Sequence, residues 1–333
     1  MSRHPRPALP RRTGFTITEL LVAIGIIVLL IGILLPALGK VMQRAKATQT
    51  SSTMQEFAKA CETFAQEFGY YPGIVPENIL VADPKITGSE NAILHLCGGA
   101  IDQDDPLYNT PPGGSAGWTE ITFGSGTSSF RIKVNPFRVG EGPRIAGKQY
   151  PPFFAPKASE LAPVVGQVIP SGFPTGIQLP DVLDAWGQPI IYLRAMRETG
   201  PLVGNANVGQ FGLSPTFGYI LSSPGGEDSG IAGLGDLGKD QADGLLRAAP
   251  NPEATLAQII RNPAFGRRGE PLNGTPAGRF ALLSAGPDGV FFSRFDGLGS
   301  PGSPKIDIVT EGANPAGPDI VTKYDDIRVF GGS

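Results

Sequence analysis

The chain has 333 residues, with 27 lysines and arginines against 30 aspartates and glutamates and a formal net charge of −3 at pH 7. With no basic cluster beyond its first 14 residues, it gives no support for nucleic-acid binding. Two cysteines and two histidines rule out a disulfide framework or a multi-histidine metal site.

In chain order, residues 1–14 carry Arg3, Arg6, Arg11 and Arg12 and no acid. Leu20 through Gly39 then gives 20 residues without a charge, about 30 Å of helix and enough to cross a hydrocarbon core. Glu19 stands at the edge of this run. A carboxylate there is costly to hold in lipid and needs a partner or a function. An ordinary secretory signal would use Ala37-Leu38-Gly39 as its small-residue cleavage site. That reading, like a plain signal anchor, gives Glu19 no role. A core helix is disfavoured by the length and apolarity of the run.

The order Gly14-Phe15-Thr16-x-x-Glu19-Leu20, running straight into the apolar stretch, resembles the amino-terminal signal of type IV pilins and pseudopilins. The resemblance implies that a prepilin peptidase cuts after Gly14 and that Phe15 becomes an N-methylated terminus. It also implies that Glu19 meets the terminal amine of a neighbouring subunit during assembly. A buried carboxylate beside a buried ammonium is tolerable where either alone is not. The basic leader is expected to stay cytoplasmic, with residues 40 onward exported to the periplasm from a single pass through the inner membrane. Losing the leader takes the basic residues to 23 and the net charge to −7.

The helix is expected to continue through 40–69. Phe57, Cys61, Phe64 and Phe68 recur at helical spacing, with Met54, Ala58 and Ala65 flanking them. Gly69 and Tyr71-Pro72-Gly73 end it. From Phe15 to Phe68 that is one rod of about 80 Å, loosened at Pro36. The stripe is the seam on which a head packs.

Glycine and proline number 46 and 33, which suits short strands and long loops. Residues 70–182 show little periodic order and read as a variable insertion. Within them 111–114 and 122–129 are expected loops, and Phe130–Val134 and Val164–Ile169 expected strands. Ala254–Arg261 reads as a short helix. Tyr219 to Asp228 weakly echoes 280–289, more simply as recurrent turn composition.

Within 183–333, Asp184-x-Trp186-Gly187-x-Pro189 precedes an apolar strand. Ser284-x-Gly286-x-Asp288-Gly289 follows, then Asp325-Asp326-Ile327. This order resembles the head of the major pseudopilin of type II secretion systems, although the stretch between Trp186 and Ser284 is much longer than in that family. The resemblance implies an α+β fold in which a pilin-like helix, membrane-spanning and then amphipathic, packs on a small antiparallel sheet. It implies a calcium site in the final loop, with Asp288 and Asp326 the preferred ligands. Asp325, Asp296 and Asp307 stand nearby. Adjacent aspartates point to opposite faces if extended, so one of Asp325 and Asp326 is expected to ligate. Ordinary Asp-Gly turn chemistry beside a solvated acidic pair explains the same residues equally well. The implied partners are the prepilin peptidase, further pilin-like subunits, membrane lipid and the inner-membrane secretion platform.

Catalysis finds little material, and the chain reads as non-enzymatic. Beyond the leader the only histidine is His95, expected to be a partly buried or loop residue. No G-x-S-x-G surrounds Ser284 and no H-E-x-x-H occurs. Cys61 and Cys97 allow one bridge in an exported compartment, but Cys61 serves equally well as a small core residue. A membrane-anchored exported binding protein that never polymerises remains the competing reading.

Overall fold

The computed structural model describes residues 16–76, 79–80, 83, 85–126, 129–162, 174, 177–194, 277–293, 295–296 and 324–332. Gly14, Phe15, the strand expected at Val164–Ile169, the helix expected at Ala254–Arg261, the 219–228 echo and Asp307 lie outside them. The architecture is α+β, a long apolar amino-terminal helix followed by small antiparallel sheets. The chain divides into two units, residues 1–45 and 46–333.

Helix α1 runs Ile17–Phe68 and passes through Pro36. In the first unit every described residue from 16 to 45 is exposed. Among the described residues this is the one helix long and apolar enough to cross a membrane. In the second unit Thr50, Thr53, Met54, Phe57, Ala58, Ala60, Cys61 and Phe64 are buried, which is the stripe that the helical spacing predicts. Gly69 follows at φ 80°, a left-handed position that glycine adopts without strain and that stops the helix.

The stripe faces the central sheet, β8 (Ile191–Arg194), β9 (Phe280–Ser284) and β10 (Ile327–Gly331), with β9 in the middle and both pairings antiparallel. Strand β9 is buried along its whole length, so both faces of the sheet are covered. Its alternation assigns the faces. Tyr192, Phe280 and Leu282 pack with Met54, Phe57, Cys61 and Phe64. Ile191, Leu193, Ala281 and Leu283 pack with Ile74, Val75, Leu94, Ile121, Phe123, Ile132 and Val134. Residues 70–182 therefore supply the cover of the second face and share one core with the strands after 183.

That segment is more ordered than its sequence suggests. Helix α2 (Gly88–Leu96) is buried at every residue. A second antiparallel sheet places β3 (Phe130–Val134) between β1 (Ala100–Asp102) and β2 (Thr119–Phe123). Strand β3 has the expected bounds. The loop expected at 122–129 starts later, because Thr122 and Phe123 pair with Arg131 and Phe130. Two further two-stranded ribbons join β4 (Arg144–Ile145) to β5 (Lys148–Gln149) and β6 (Leu161–Ala162) to β7 (Asp181–Val182).

Candidate functional site

Glu19 is the third residue of α1, and Thr16 immediately precedes the helix. The Thr16 amide and hydroxyl both donate to Glu19 Oε2, at 2.9 and 2.7 Å. The Glu19 amide donates back to Thr16 Oγ1 at 3.3 Å. This reciprocal pair is a capping box, which satisfies amides that the first turn leaves unpaired. The T-x-x-E spacing was readable in the sequence, and it gives Glu19 a partner within its own chain.

In the head, the residues of the two quoted motifs meet. Asp184 Oδ1 accepts from the amides of Trp186 and Gln188, at 2.8 and 2.9 Å, and closes the D-x-W-G-x-P turn. Its Oδ2 accepts from the Ser284 hydroxyl at 2.8 Å. The Ala185 amide donates to Thr50 Oγ1 of α1 at 3.0 Å. Burial raises the Asp184 carboxyl above its ordinary range, against the lowering effect of these donors. The motifs thus tie helix, turn and sheet together.

Beyond Ser284 the chain enters the acidic loop. The Gly286 amide donates to Ser284 Oγ at 3.3 Å, and Gly286 lies at φ 69°. A side chain there would stand 2.8 Å from the Asp325 carbonyl oxygen and 2.9 Å from Asp325 Oδ1. Glycine is what lets Asp325 come in. Asp288 accepts from the Val290 amide at 2.8 Å, and Asp296 from the Asp325 amide at 3.4 Å. One carboxylate oxygen from each of Asp288, Asp296 and Asp325 lies within 4.8 Å of the others.

Asp326 stands apart from that trio. Both its oxygens accept from the Phe292 amide, at 3.0 Å each, and Phe292 occupies a left-handed φ of 51°. Asp325 and Asp326 do point different ways, as adjacent extended residues should. Asp325 faces Asp288 and Asp296, while Asp326 braces the loop from beneath. Asp296, which no sequence motif singles out, joins only through the tertiary fold.

The electrostatics follow from this crowding. Asp325 is exposed as a residue, yet partial desolvation of its carboxyl, then the charges of Asp288 and Asp296, raise it to about 7. Burial first, and then the other three acids, hold Asp326 well above the ordinary carboxylate range. Calcium takes oxygen ligands at 2.3–2.6 Å, so ligand atoms on one ion stand no more than about 5 Å apart. The trio fits that limit and supplies three of the six to eight oxygens required.

His95 is fully inside, in the last turn of α2 rather than in a loop. Its Nδ1 accepts from the Gly73 amide at 3.1 Å, and its ring stands 4.7 Å from that of Phe64. Burial, then the nearby Arg194 charge, lowers it to about 3, so the imidazole is neutral. Cys61 and Cys97 are unbridged and buried, and Cys97 Sγ donates to the Phe154 carbonyl at 3.2 Å. Burial pushes the Cys97 thiol up to about 12, which suits a core residue and not a nucleophile. The chain matches no protein-family model, no curated protein and no solved structure.

Proposed function

We propose that the chain is a structural subunit of a pilin-like filament, held in the inner membrane by the first half of α1 until it assembles. The observation that carries the reading is the bare apolar surface of α1. Ile17, Leu21 and Ile33 are 81%, 67% and 69% exposed, and among the described residues nothing buries the 18-residue apolar window. A surface of that size needs lipid or other helices. Its sole acid, Glu19, sits at the entry.

In this reading a prepilin peptidase cuts between Gly14 and Phe15. The head occupies the periplasm, and the secretion platform draws subunits out of the membrane. The new Phe15 amine then competes with Thr16 for Glu19 of a neighbouring subunit. The order of the Asp184, Ser284–Asp288 and Asp325–Asp326 motifs supports a pseudopilus of type II secretion. No nucleic-acid partner and no catalytic activity are part of it.

Asp288, Asp296 and Asp325 would hold Ca²⁺ in the final loop, with Asp326 fixing the loop through Phe292. A bound calcium ion would supply positive charge to offset the mutual repulsion of the three carboxylates. The chain's own contribution is the approach that Gly286 permits.

The alternative is a membrane-anchored exported binding protein that does not polymerise. The capping box favours it, because Glu19 already has hydrogen-bond partners in its own chain. Glu19→Ala separates the two. The filament reading expects normal cleavage and membrane insertion with no polymer; the binding-protein reading expects no change in function.

A further inference from the structure

We infer that the junction of α2 with β7 is a proton-controlled clasp, closed while Asp181 carries a proton and loosened as its carboxyl ionises. Two hydroxyls at the start of α2 reach across to β7. Thr87 Oγ1 donates to Asp181 Oδ1 at 2.8 Å, and the Ser89 hydroxyl bonds the same carboxyl. Ser89 Oγ in turn accepts from the Val182 amide at 3.2 Å. Asp181 is 1% exposed, and its Oδ2 has no hydrogen-bond partner among the described residues. These contacts hold the first turn of α2 against the β6–β7 ribbon.

An ionised carboxylate here keeps one buried oxygen without a donor. That costs more than burying a neutral carboxyl with one unpaired hydroxyl. The Thr87 contact suits the neutral form, because Oδ1 goes on accepting while Oδ2 carries the proton. The surrounding charges offer no cation in the proton's place. From α2, Glu90 adds a second buried acid, its Oε2 accepting from the Thr87 amide at 2.7 Å. His95 stands in the last turn of that helix and is neutral. Just before β6, Glu160 accepts from Thr53 Oγ1 and Lys157 Nζ, both at 3.3 Å, which engages that lysine. From β8, Arg194 donates to the Tyr71 and Val75 carbonyls. Asp184, beyond β7, is taken up by its own turn and Ser284. Burial is accordingly the first cause of the raised Asp181 carboxyl, at about 7, with the Thr87 and Ser89 hydroxyls opposing it.

Opening the clasp returns the carboxyl to water, where its ordinary range is about 4. Between about 4 and about 7 the closed form holds a proton that the open form has released. Opening therefore becomes easier as pH rises, by up to about tenfold per unit, and levels off above about 7. Because β7 runs into the Asp184 turn and β8, on which α2 packs, the clasp sets how firmly α2 sits on the central sheet. It is independent of the filament reading.

The test is hydrogen exchange of the full chain in detergent, read by mass spectrometry at several pH values and corrected for the intrinsic rate. Peptides covering 87–91 and 181–183 should lose protection by about tenfold or more as pH rises to about 7, then stay level. The β9 peptide 280–284 should exchange more slowly throughout, since a local opening lies below global unfolding. Asp181→Asn should keep the first two peptides protected at every pH. Ser89→Ala removes a donor to the ionised form, so the fall should continue to higher pH; a merely structural Ser89 would lower protection equally at all pH. Protection at 87–91 that ignores pH overturns the clasp and marks a buried water on an ionised Asp181. So does an equal fall in Asp181→Asn, or one common rate for all three peptides, which would mean global unfolding alone. If Asp181→Asn does not fold, Ser89→Ala decides, and an unmoved level-off overturns the proposal.

Discussion

Asp184 shows how much one buried carboxylate organises. It closes its own turn through two amides and reaches a serine 100 residues later in the sequence. Asp184→Ala removes a charged acceptor from three donors and is expected to destabilise the head by about 2–4 kcal/mol. Ser284→Ala should cost about 1–3 kcal/mol, and the double variant less than the sum, because both remove the same bond. Thermal melts of the detergent-solubilised chain check this. Asp181 supplies a pH dependence. It is buried, Oδ1 accepts from Thr87 Oγ1 at 2.8 Å, and Oδ2 has no partner among the described residues. Burial raises it from 3.8 to about 7. The folded state then holds a proton that the unfolded chain has released, so stability falls as pH rises from about 4 to about 7 and levels off above. Asp181→Asn should make that slope shallower, with the raised carboxyls of Asp325 and Asp326 supplying the remainder; an unchanged slope would place the proton elsewhere.

The elements differ in how plainly their residues announce them. The second half of α1 buries one face, so Phe57, Cys61, Phe64 and Phe68 recur at helical spacing and can be read directly. Phe57 stacks on Phe154 at 5.1 Å and stands 5.6 Å from Tyr192. Phe57→Ala is therefore expected to cost about 3–5 kcal/mol, measured by denaturant unfolding. Helix α2 is buried on all sides, which erases periodicity; its one legible mark is Thr87-x-x-Glu90, a capping box present in the structure. Strand β9 is legible as an apolar run before its glycine–acid loop, but with no polar face its pattern does not say that both sides are covered. The acidic loop was legible as a loop and as acidic. Which aspartates converge was not, because Phe292 at positive φ claims Asp326, and Asp296 arrives only through tertiary folding. Calcium at this loop should raise the melting temperature of the full chain, and a chelator should reverse the rise. Asp325→Asn should abolish the calcium-dependent shift; an equal shift in that variant would remove Asp325 from the ligand set.

For the molecule as a whole, the head is a sheet covered on both faces, and α1 carries a bare apolar surface before it reaches that head. In the proposed filament that surface meets lipid first and other helices after assembly. Glu19 connects the scales: it is a capping residue within its own chain, and in the proposed filament it becomes the assembly acid for a neighbour's Phe15 amine. The decisive measurement compares Glu19→Ala, Glu19→Gln and the unmodified chain in membranes with the processing and assembly machinery, scoring cleavage at Gly14, membrane insertion and sedimentable polymer. Glutamine preserves a hydrogen-bonding oxygen for Thr16 but carries no charge for a neighbour's amine. The account predicts normal cleavage and insertion in all three, and polymer only in the unmodified chain. Polymer at normal levels in Glu19→Gln would contradict the charge role and leave the acid a helix cap alone.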